Sequence, residues 1–321
     1  VENDILNLLK KENDDFITLH SLACSLNTDK DTIDRYLRKL KQKGYRIQFI
    51  PYRGIKLISI PDRPTAYEIG HNLNTEIIGS HIFYYEQIDS TNDEAKQLAK
   101  SLADEGIVVI AESQTKGRGR MHRKWSSPKG GLYLSVVLRP KKNLQEQAKY
   151  YLVSSVACAL GIRKATGINC LIKWPNDILV NNKKVAGILT ESSIKESKVD
   201  FLILGIGINV NSLPSAFRKN ATSLSLLKNR QYSIIEIAKD VLRSLDSCYL
   251  KYKKEGLDFF INEWKNLSTN LGIRVKITYN GKEVEGTAIG IDQKSGALLL
   301  RKDNGFIKPL LNVDSLTINR R

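Results

Sequence analysis

The chain is sparing with the residues that staple, ligate or anchor a fold. Its 321 residues include four cysteines, four histidines, one methionine and three tryptophans. Cys24, Cys158, Cys170 and Cys248 lie far apart with no C-x-x-C spacing. That pattern gives neither a zinc site nor a disulfide framework, and it fits buried thiols in a reducing compartment. No apolar run approaches the ~18 residues that span a bilayer. The opening Val1-Glu2-Asn3-Asp4 has no signal-peptide pattern. There is no long internal repeat and no low-complexity tract. A soluble, cytoplasmic protein is expected.

Acidic residues are also in short supply. There are 34 of them against 50 Lys and Arg, and the net charge of +16 favours a polyanionic partner or phosphorylated substrates. With 41% apolar residues, the length supports two or three domains. The charge is uneven. Residues 1–29 carry two Lys and six Asp or Glu, whereas residues 30–56 carry nine Lys or Arg and two Asp, a swing from −4 to +7 that marks a directed surface.

Three parts follow from the periodicity. In residues 1–61, Ile5, Leu8 and Leu9 set a helix over 4–11, and a second runs from Thr18, a possible N-cap, to Leu26. A third starts at about Asp29, carries Ile33, Leu37 and Leu40 on one face, and meets Gly44 at its end. Residues 45–50 and 55–60 alternate as two strands about Pro51-Tyr52-Arg53-Gly54. Three helices and a hairpin make a winged helix-turn-helix. Its candidate DNA contacts are Thr28, Lys30, Asp31 and Thr32 at the helix entry, Arg35, Arg38 and Lys39 along it, and Arg53 at the hairpin tip. A small helical domain with a solvated basic face is the alternative.

Pro61 and Pro64 mark a linker. Over residues 65–268 the elements mix: a helix from Thr91, strands at 107–111 and 132–138, and a long helix at 144–165. Strands follow at 171–174, 178–180, 185–191 and 201–210, then helical periodicity at 234–252 and 259–267. Asn181-Asn182 joins two of these strands as a hairpin. The order predicts a mixed, largely antiparallel sheet with helices on one face, not a doubly wound nucleotide fold. Over residues 270–321, strands at 274–279, 284–291, 297–301 and 306–311 are split by Asn280-Gly281, Ser295-Gly296 and Asn304-Gly305, which suits a small SH3-like β-barrel. The fold class is α+β, multidomain.

Two stretches carry the chemistry. In GRGRMHRKW, Gly117 to Trp125, four cationic side chains surround two glycines, and Met121 is the one apolar residue before Trp125. Such a loop suits an anion, because glycine lets backbone N–H groups approach while guanidinium forks bind phosphate oxygens. In KWPND, Lys173 to Asp177, an apolar run ends at Lys173, Pro175 stiffens the turn, and Asn176 and Asp177 are expected exposed at its tip. A fixed ammonium beside a carboxylate, facing a mobile cationic loop, fits phosphate activation of a carboxylic acid. Ser90 with Asp93 also reads as a capping box. Gly205 and Gly207 are no Rossmann fingerprint, because no helix of the required spacing follows.

With Asp89-Ser90-Thr91-Asn92 and Gly205-Ile206-Gly207-Ile208-Asn209-Val210, these stretches stand in the order seen in biotin–protein ligases. Adding the N-terminal winged helix and GTAIGIDQKSGALLL at 286–300, the chain resembles the bifunctional biotin ligase–repressors of bacteria over essentially its full length. The resemblance implies a class II synthetase-like domain that joins biotin to ATP. The product, biotinyl-5′-AMP, passes biotin to a lysine of the biotin carboxyl carrier protein of acetyl-CoA carboxylase. The resemblance also implies that the adenylate is a corepressor: it favours a homodimer that binds operator DNA and represses biotin synthesis genes.

Site residues follow from the same resemblance. Lys173 is implied to neutralise charge between carboxylate and α-phosphate, with Arg118 and Arg120 closing over the reactants. Biotin is implied to meet Ser90, Thr91, Asn92, Gln114, Gly117, Gly119 and Gly187. The nucleotide is implied to meet Arg120, Arg123, Lys124, Trp125, Asn176, Lys183 and Asn209. Trp125 either stacks on adenine or anchors the loop, and Asp177 is the candidate for Mg²⁺. The loop is expected to lack fixed structure until a ligand orders it, and His122 reads as a solvated loop histidine. The strand 200–210 with Lys195–Lys198 is the expected sheet edge for pairing. A lipoate–protein ligase, or a biotin-sensing transcription factor without ligase activity, remains the alternative. Nonspecific nucleic-acid packaging is more distant.

Overall fold

In the computed structural model, which describes residues 1–12, 15–101, 104–140, 147–195, 198–217, 219–279, 281–311 and 313–318, two N-caps organise the N-terminal unit. Thr18 accepts the Ser21 N–H at 3.0 Å and Asp29 accepts that of Thr32 at 2.7 Å, which starts α2 (Leu19–Ser25) and α3 (Lys30–Gln42) after α1 (Glu2–Lys11). Gly44, at φ +95°, ends α3: Tyr45 N–H donates to Leu40 O and Gly44 N–H to Lys41 O. Strands β1 (Arg46–Ile50) and β2 (Gly54–Ser59) pair antiparallel, and Ile17 bridges to Ile55. Ile5, Leu9, Leu22, Ile33, Leu37 and Leu40 are buried together between the helices, so Val1–Arg63 is a compact winged helix-turn-helix.

The second compact unit, Pro64–Arg321, holds two sheets. The strands of the larger are β3 (Ile82–Tyr85), β4 (Val108–Ala111), β5 (Leu132–Leu138), β6 (Leu171–Lys173), β7 (Asp177–Val180), β8 (Lys183–Lys195) and β9 (Lys198–Ile208). Their order is β3-β4-β5-β9-β8-β7-β6; β3 and β4 pair parallel and the other neighbouring strands antiparallel. Two helices, α4 (Ala66–Gly70) and α7 (Leu224–Lys228), are short, and neither they nor β3 were legible from periodicity. The expected start of the long helix at residue 144 lies outside the described residues; α6 is described over Gln147–Thr166.

The sheet is covered on both faces, not one. Val108, Ile110, Leu134, Val136, Leu204 and Ile206 face α6 and α8 (Ile234–Glu255). Val109, Val137, Phe201 and Ile203 face α5 (Thr91–Ser101), which packs through Ala95 and Ala99. The burial of every residue in β4 and β5 reflects this double cover. The strand expected at the edge is likewise corrected: β9 lies between β5 and β8, which is why its run from Phe201 to Ile206 is apolar without alternation. Residues 196–197 of the expected edge segment lie outside the described residues.

After α9 (Asp258–Leu267), the C-terminal strands β10 (Arg274–Tyr279), β11 (Lys282–Ile291), β12 (Leu298–Arg301), β13 (Ile307–Leu310) and β14 (Ser315–Ile318) form an antiparallel sheet in the order β13-β12-β11-β10-β14. Asn280 of the first expected turn lies outside the described residues. Val275, Ile277, Leu298 and Leu300 join the same apolar core as the helix face of the large sheet. Among the described residues, no helix is long and apolar enough to cross a membrane.

Candidate functional site

One row of register partners crosses five strands: Lys173 opposite Asp177, Asp177 opposite Gly187, Gly187 opposite Gly207, and Gly207 opposite Tyr133. Directly opposed residues project to the same face. The two glycines therefore leave a trough in the sheet between a lysine–aspartate pair on one side and a tyrosine on the other. Gly205 lies two residues along β9, about 7 Å away on the same face. A Cβ on Gly205 would stand 2.1 Å from Asn92 Oδ1, and one on Gly207 2.4 Å from Trp125 Nε1. These glycines are required by close approach: Asn92 and Trp125 lie on the bare sheet side by side.

The trough is the floor of a cleft of about 320 Å³, within the range that small-ligand sites occupy. At the Asn92 end the polar groups are wired together. Gln114 Oε1 accepts the Thr91 N–H at 2.8 Å and the Thr91 hydroxyl at 3.1 Å, while Gln114 Nε2 donates to Ser127 Oγ at 2.8 Å. Asn92 Nδ2 donates to Glu191 at 2.6 Å, and the buried Ser135 hydroxyl donates to Asn92 Oδ1 at 2.6 Å. Ser90, Thr91 and Asn92 are all buried, so such satisfaction is obligatory. Just outside the cleft, Lys116 and the Thr115 hydroxyl hold the Asp89 carboxyl below its ordinary range.

At the other end Trp125 rests on the glycines with its indole N–H buried and without a partner among the described residues. Lys184 Nζ lies 5.0 Å over the Trp125 ring and 2.6 Å from Asp177 Oδ1. Asn209 lines the same wall, its amide donating to Thr222 O at 3.1 Å. Lys173 and Asn176 complete the cleft with a segment absent from any motif, Val313 to Leu316.

The cationic loop is a closed hairpin, in contrast to the expectation of an unstructured segment. Arg123 N–H donates to Arg120 O, Gly119 N–H to Arg123 O and Trp125 N–H to Gly117 O. Met121 and His122 both have positive φ, as a two-residue type I′ turn requires. Arg118 Nη2 reaches Asp93 Oδ1 at 2.6 Å and Glu191 Oε2 at 3.2 Å. Burial opposes its charge, but the two carboxylates outweigh burial and hold the group above its ordinary pKa. Arg120 donates to Val313 O at 2.8 Å and lies over the Tyr151 ring. These tethers fix a segment that has too few apolar residues to fix itself.

Most residues picked from the motifs meet here: Ser90, Thr91, Asn92, Gln114, Arg118, Gly119, Arg120, Arg123, Lys124, Trp125, Lys173, Asn176, Asp177, Gly187 and Asn209 all line the cleft. Four placements differ from expectation. Gly117 forms the neck of the hairpin, packed against Ser127 and the Trp125 carbonyl, and is not part of the wall. Lys183 is exposed at the start of β8, and Lys184 takes its place in the cleft. The cause is a bulge: Ile178 pairs with Ala186 but Leu179 with Lys184, which shifts the alternation by one. Asn176 and Asp177 are half-buried in the cleft instead of exposed at a tip; Asn176 Nδ2 donates to Ile188 O. Asp93, whose carboxylate was read as part of a capping box, turns to Arg118.

In the N-terminal unit, Lys30, Asp31, Arg35, Arg38, Lys39 and Arg53 are exposed and Thr28 is half-buried. Thr32 is committed to the Asp29 cap through both its N–H and its hydroxyl. Arg38 pairs with Asp34 one turn back, and Arg53 lies 4.8 Å over the Phe16 ring.

A mixed sheet bearing a polar, cation-rimmed cleft, on one chain with a winged helix, fits the class of enzymes that handle anionic substrates and carry a helix-turn-helix unit. The profile of the Biotin/lipoate A/B protein ligase family matches residues 84–209, that of the biotin protein ligase C-terminal domain residues 271–312, and that of a helix-turn-helix domain residues 1–56. The chain is 35% identical over 320 residues to the bifunctional ligase/repressor BirA of Bacillus subtilis (strain 168), covering 98% of each. It is 30% identical over 308 residues to the protein of that name from Escherichia coli (strain K12), covering 92% of this chain and 91% of that one. The biotin protein ligase of Aquifex aeolicus, solved with biotin and ATP, superposes with a TM-score of 0.66 at 31% identity, over 75% of this chain and 100% of that one. The chain belongs to the family of bifunctional biotin–protein ligases and repressors.

Proposed function

We propose that the cleft binds biotin and ATP, forms biotinyl-5′-AMP with release of pyrophosphate, and transfers biotin to a lysine of the biotin carboxyl carrier protein of acetyl-CoA carboxylase. The single observation that carries this reading is the row from Lys173 to Tyr133, which sets one ammonium on the same sheet face as a glycine trough lined by the cleft residues. The polar end at Ser90, Thr91, Asn92 and Gln114 suits an uncharged ring with both donors and acceptors, as the ureido ring of biotin is. The end at Trp125, Lys184 and Asn209 suits a purine nucleotide, through an aromatic face and a cation. Lys173, at the β6 end of the row, lines the cleft where two anions that repel one another, a carboxylate and an α-phosphate, would meet. An ammonium fixed there stabilises the charge that builds as they join, an effect worth several kcal/mol in such sites. Arg120, Arg123 and Lys124 close the cleft from above and keep water from a labile acyl phosphate.

Asp177 fits Mg²⁺ as a hard oxygen donor that already carries a cation, Lys184, at 2.6 Å. A phosphate-bound Mg²⁺ needs few protein carboxylates, and no cluster of three or more His, Cys, Asp or Glu exists among the described residues. When bound, the ion would neutralise phosphate charge beside Asp177 and Asn176.

The division of labour is residues 1–61 for operator DNA, 65–268 for catalysis and 270–321 for closing the nucleotide end. The adenylate acts as corepressor by favouring a homodimer, which strengthens DNA binding by mass action. The decisive experiment is incubation with biotin, MgATP and a carrier domain, followed by weighing the carrier; a gain of one biotin is expected, and an unmodified carrier sinks the proposal. Pyrophosphate release with biotin and with lipoate separates the lipoate alternative. Gel filtration with and without biotin and ATP reads the dimer, and an unchanged monomer at micromolar protein counts against it.

A further inference from the structure

Glu191 belongs to none of the motifs, yet it joins two parts of the site. Its Oε2 accepts the Asn92 amide at 2.6 Å and the Arg118 guanidinium at 3.2 Å. Asn92 lies on α5 and forms the buried polar floor, whereas Arg118 lies in the hairpin that closes the cleft. Ile203 opposite Glu191 places the carboxylate on the cleft face of β8, two residues from Leu189 and four from Gly187. Asp93 adds a second carboxylate, which pins Arg118 at 2.6 Å but takes no part in the Asn92 contact.

We propose that Glu191 is a positioning residue: by holding Arg118 and Asn92 through one oxygen, it makes closure of the arginine hairpin and orientation of the biotin-site floor a single event. A carboxylate is needed because each of its partners is a donor. Opening the hairpin leaves the floor amide with a less fixed partner, and a ligand that orders Asn92 in turn favours the closed hairpin, since coupling between two equilibria is reciprocal. The pairs are separately modest, because Arg118, Asp93 and Glu191 are 39%, 44% and 34% exposed. Two carboxylates on one guanidinium act as a network.

Three variants separate the two contacts. Asp93→Asn removes a pin on the hairpin alone. Glu191→Gln keeps an oxygen for Asn92 but withdraws the charge facing Arg118. Glu191→Ala removes both. The closed hairpin ties its backbone through the Gly119–Arg123 and Gly117–Trp125 hydrogen bonds, so the rate of trypsin cleavage within residues 118–124 should rise with opening and reads closure without any ligand. The single charge-neutral variants should be cut about threefold faster and Asp93→Asn with Glu191→Gln about tenfold faster. Biotin affinity by calorimetry should fall severalfold in Glu191→Ala, be largely retained in Glu191→Gln, and stay within about twofold in Asp93→Asn. A double variant cut at the parent rate overturns the proposal, as does a Glu191→Ala protein that opens the hairpin with undiminished biotin affinity. The affinity arm rests on the biotin reading given above; the cleavage arm does not. A parent protein that fails to label a carrier while the cleavage pattern holds removes that reading and leaves the hairpin latch standing.

Discussion

Lys173 and Asp177 face each other as the closing register pair of the β6–β7 hairpin, and the Asp177 carboxylate is held by Lys184 at 2.6 Å while Lys173 points into the cleft. Two lysines thus flank one carboxylate, and the proposed function gives them different tasks, one toward the reacting anions and one toward the nucleotide end. Lys173→Ala is expected to slow biotin-dependent pyrophosphate release by about 10²- to 10³-fold, the scale for losing one donor aimed at developing charge. Lys184→Ala should raise the KM for ATP by about tenfold through loss of one partly buried cation. Lys183→Ala, one residue earlier and exposed, should leave both constants within about twofold of the parent. Equal effects at 183 and 184 would refute the bulged register.

Gly205 and Gly207 offer a sharper separation, since each makes room for a different side chain. An added methyl at 205 meets Asn92, and one at 207 meets the Trp125 indole. Forcing an extra carbon into such a contact costs about 1–3 kcal/mol, which corresponds to about fivefold and upward in affinity if the strain falls on the ligand site. Gly205→Ala should therefore weaken biotin binding and Gly207→Ala should weaken ATP binding. Calorimetry with each ligand checks the split, and a uniform loss for both ligands in both variants would instead indicate collapse of the cleft.

The elements were legible where one period dominated. Helix α3, with Ile33, Leu37 and Leu40 on one face between Asp29 and Gly44, stands as its pattern predicts. So does the Asn181-Asn182 turn, because both residues tolerate the positive φ that the hairpin demands. The short pieces β3 and α4 carry too few residues for a period to emerge. The site residues were legible where a motif clustered them. Lys184 was not, because a bulge is a local change of register that the order of residues does not announce. Glu191 and Ser135 were hidden as ordinary polar residues in strands. Val313 was out of reach altogether, for its carbonyl meets Arg120 only through the folding of a separate sheet.

The thiols give a test of the packing. Cys158, Cys170 and Cys248 are buried, and burial pushes Cys248 up to about 11, Cys170 to about 12 and Cys158 further. Cys24 on α2 is exposed. Since the thiolate is the reactive form, one thiol should react quickly with Ellman's reagent and three should respond only on unfolding. Cys24→Ser should remove the fast phase entirely. A second fast thiol in the native protein would show that α6, α8 or the chain leading into β6 is packed less closely than described.

Helix α3 should lose its start in acid. The Thr32 N–H and hydroxyl both donate to the Asp29 carboxylate and lower its pKa from 3.8, so the folded unit binds this proton more weakly than the unfolded chain does. A lowered carboxyl pKa contributes stability that is complete above the unfolded value and is lost as pH falls through the folded one. An Asp29→Ala protein should accordingly unfold earlier than the parent at neutral pH, with the gap narrowing as pH drops below 3.8. Carbon-13 titration of the Asp29 carboxyl gives the folded value directly, and thermal melts across the acid range give the gap. A gap that stays constant down to full protonation would mean that the cap works by its shape alone, with no part played by the charge.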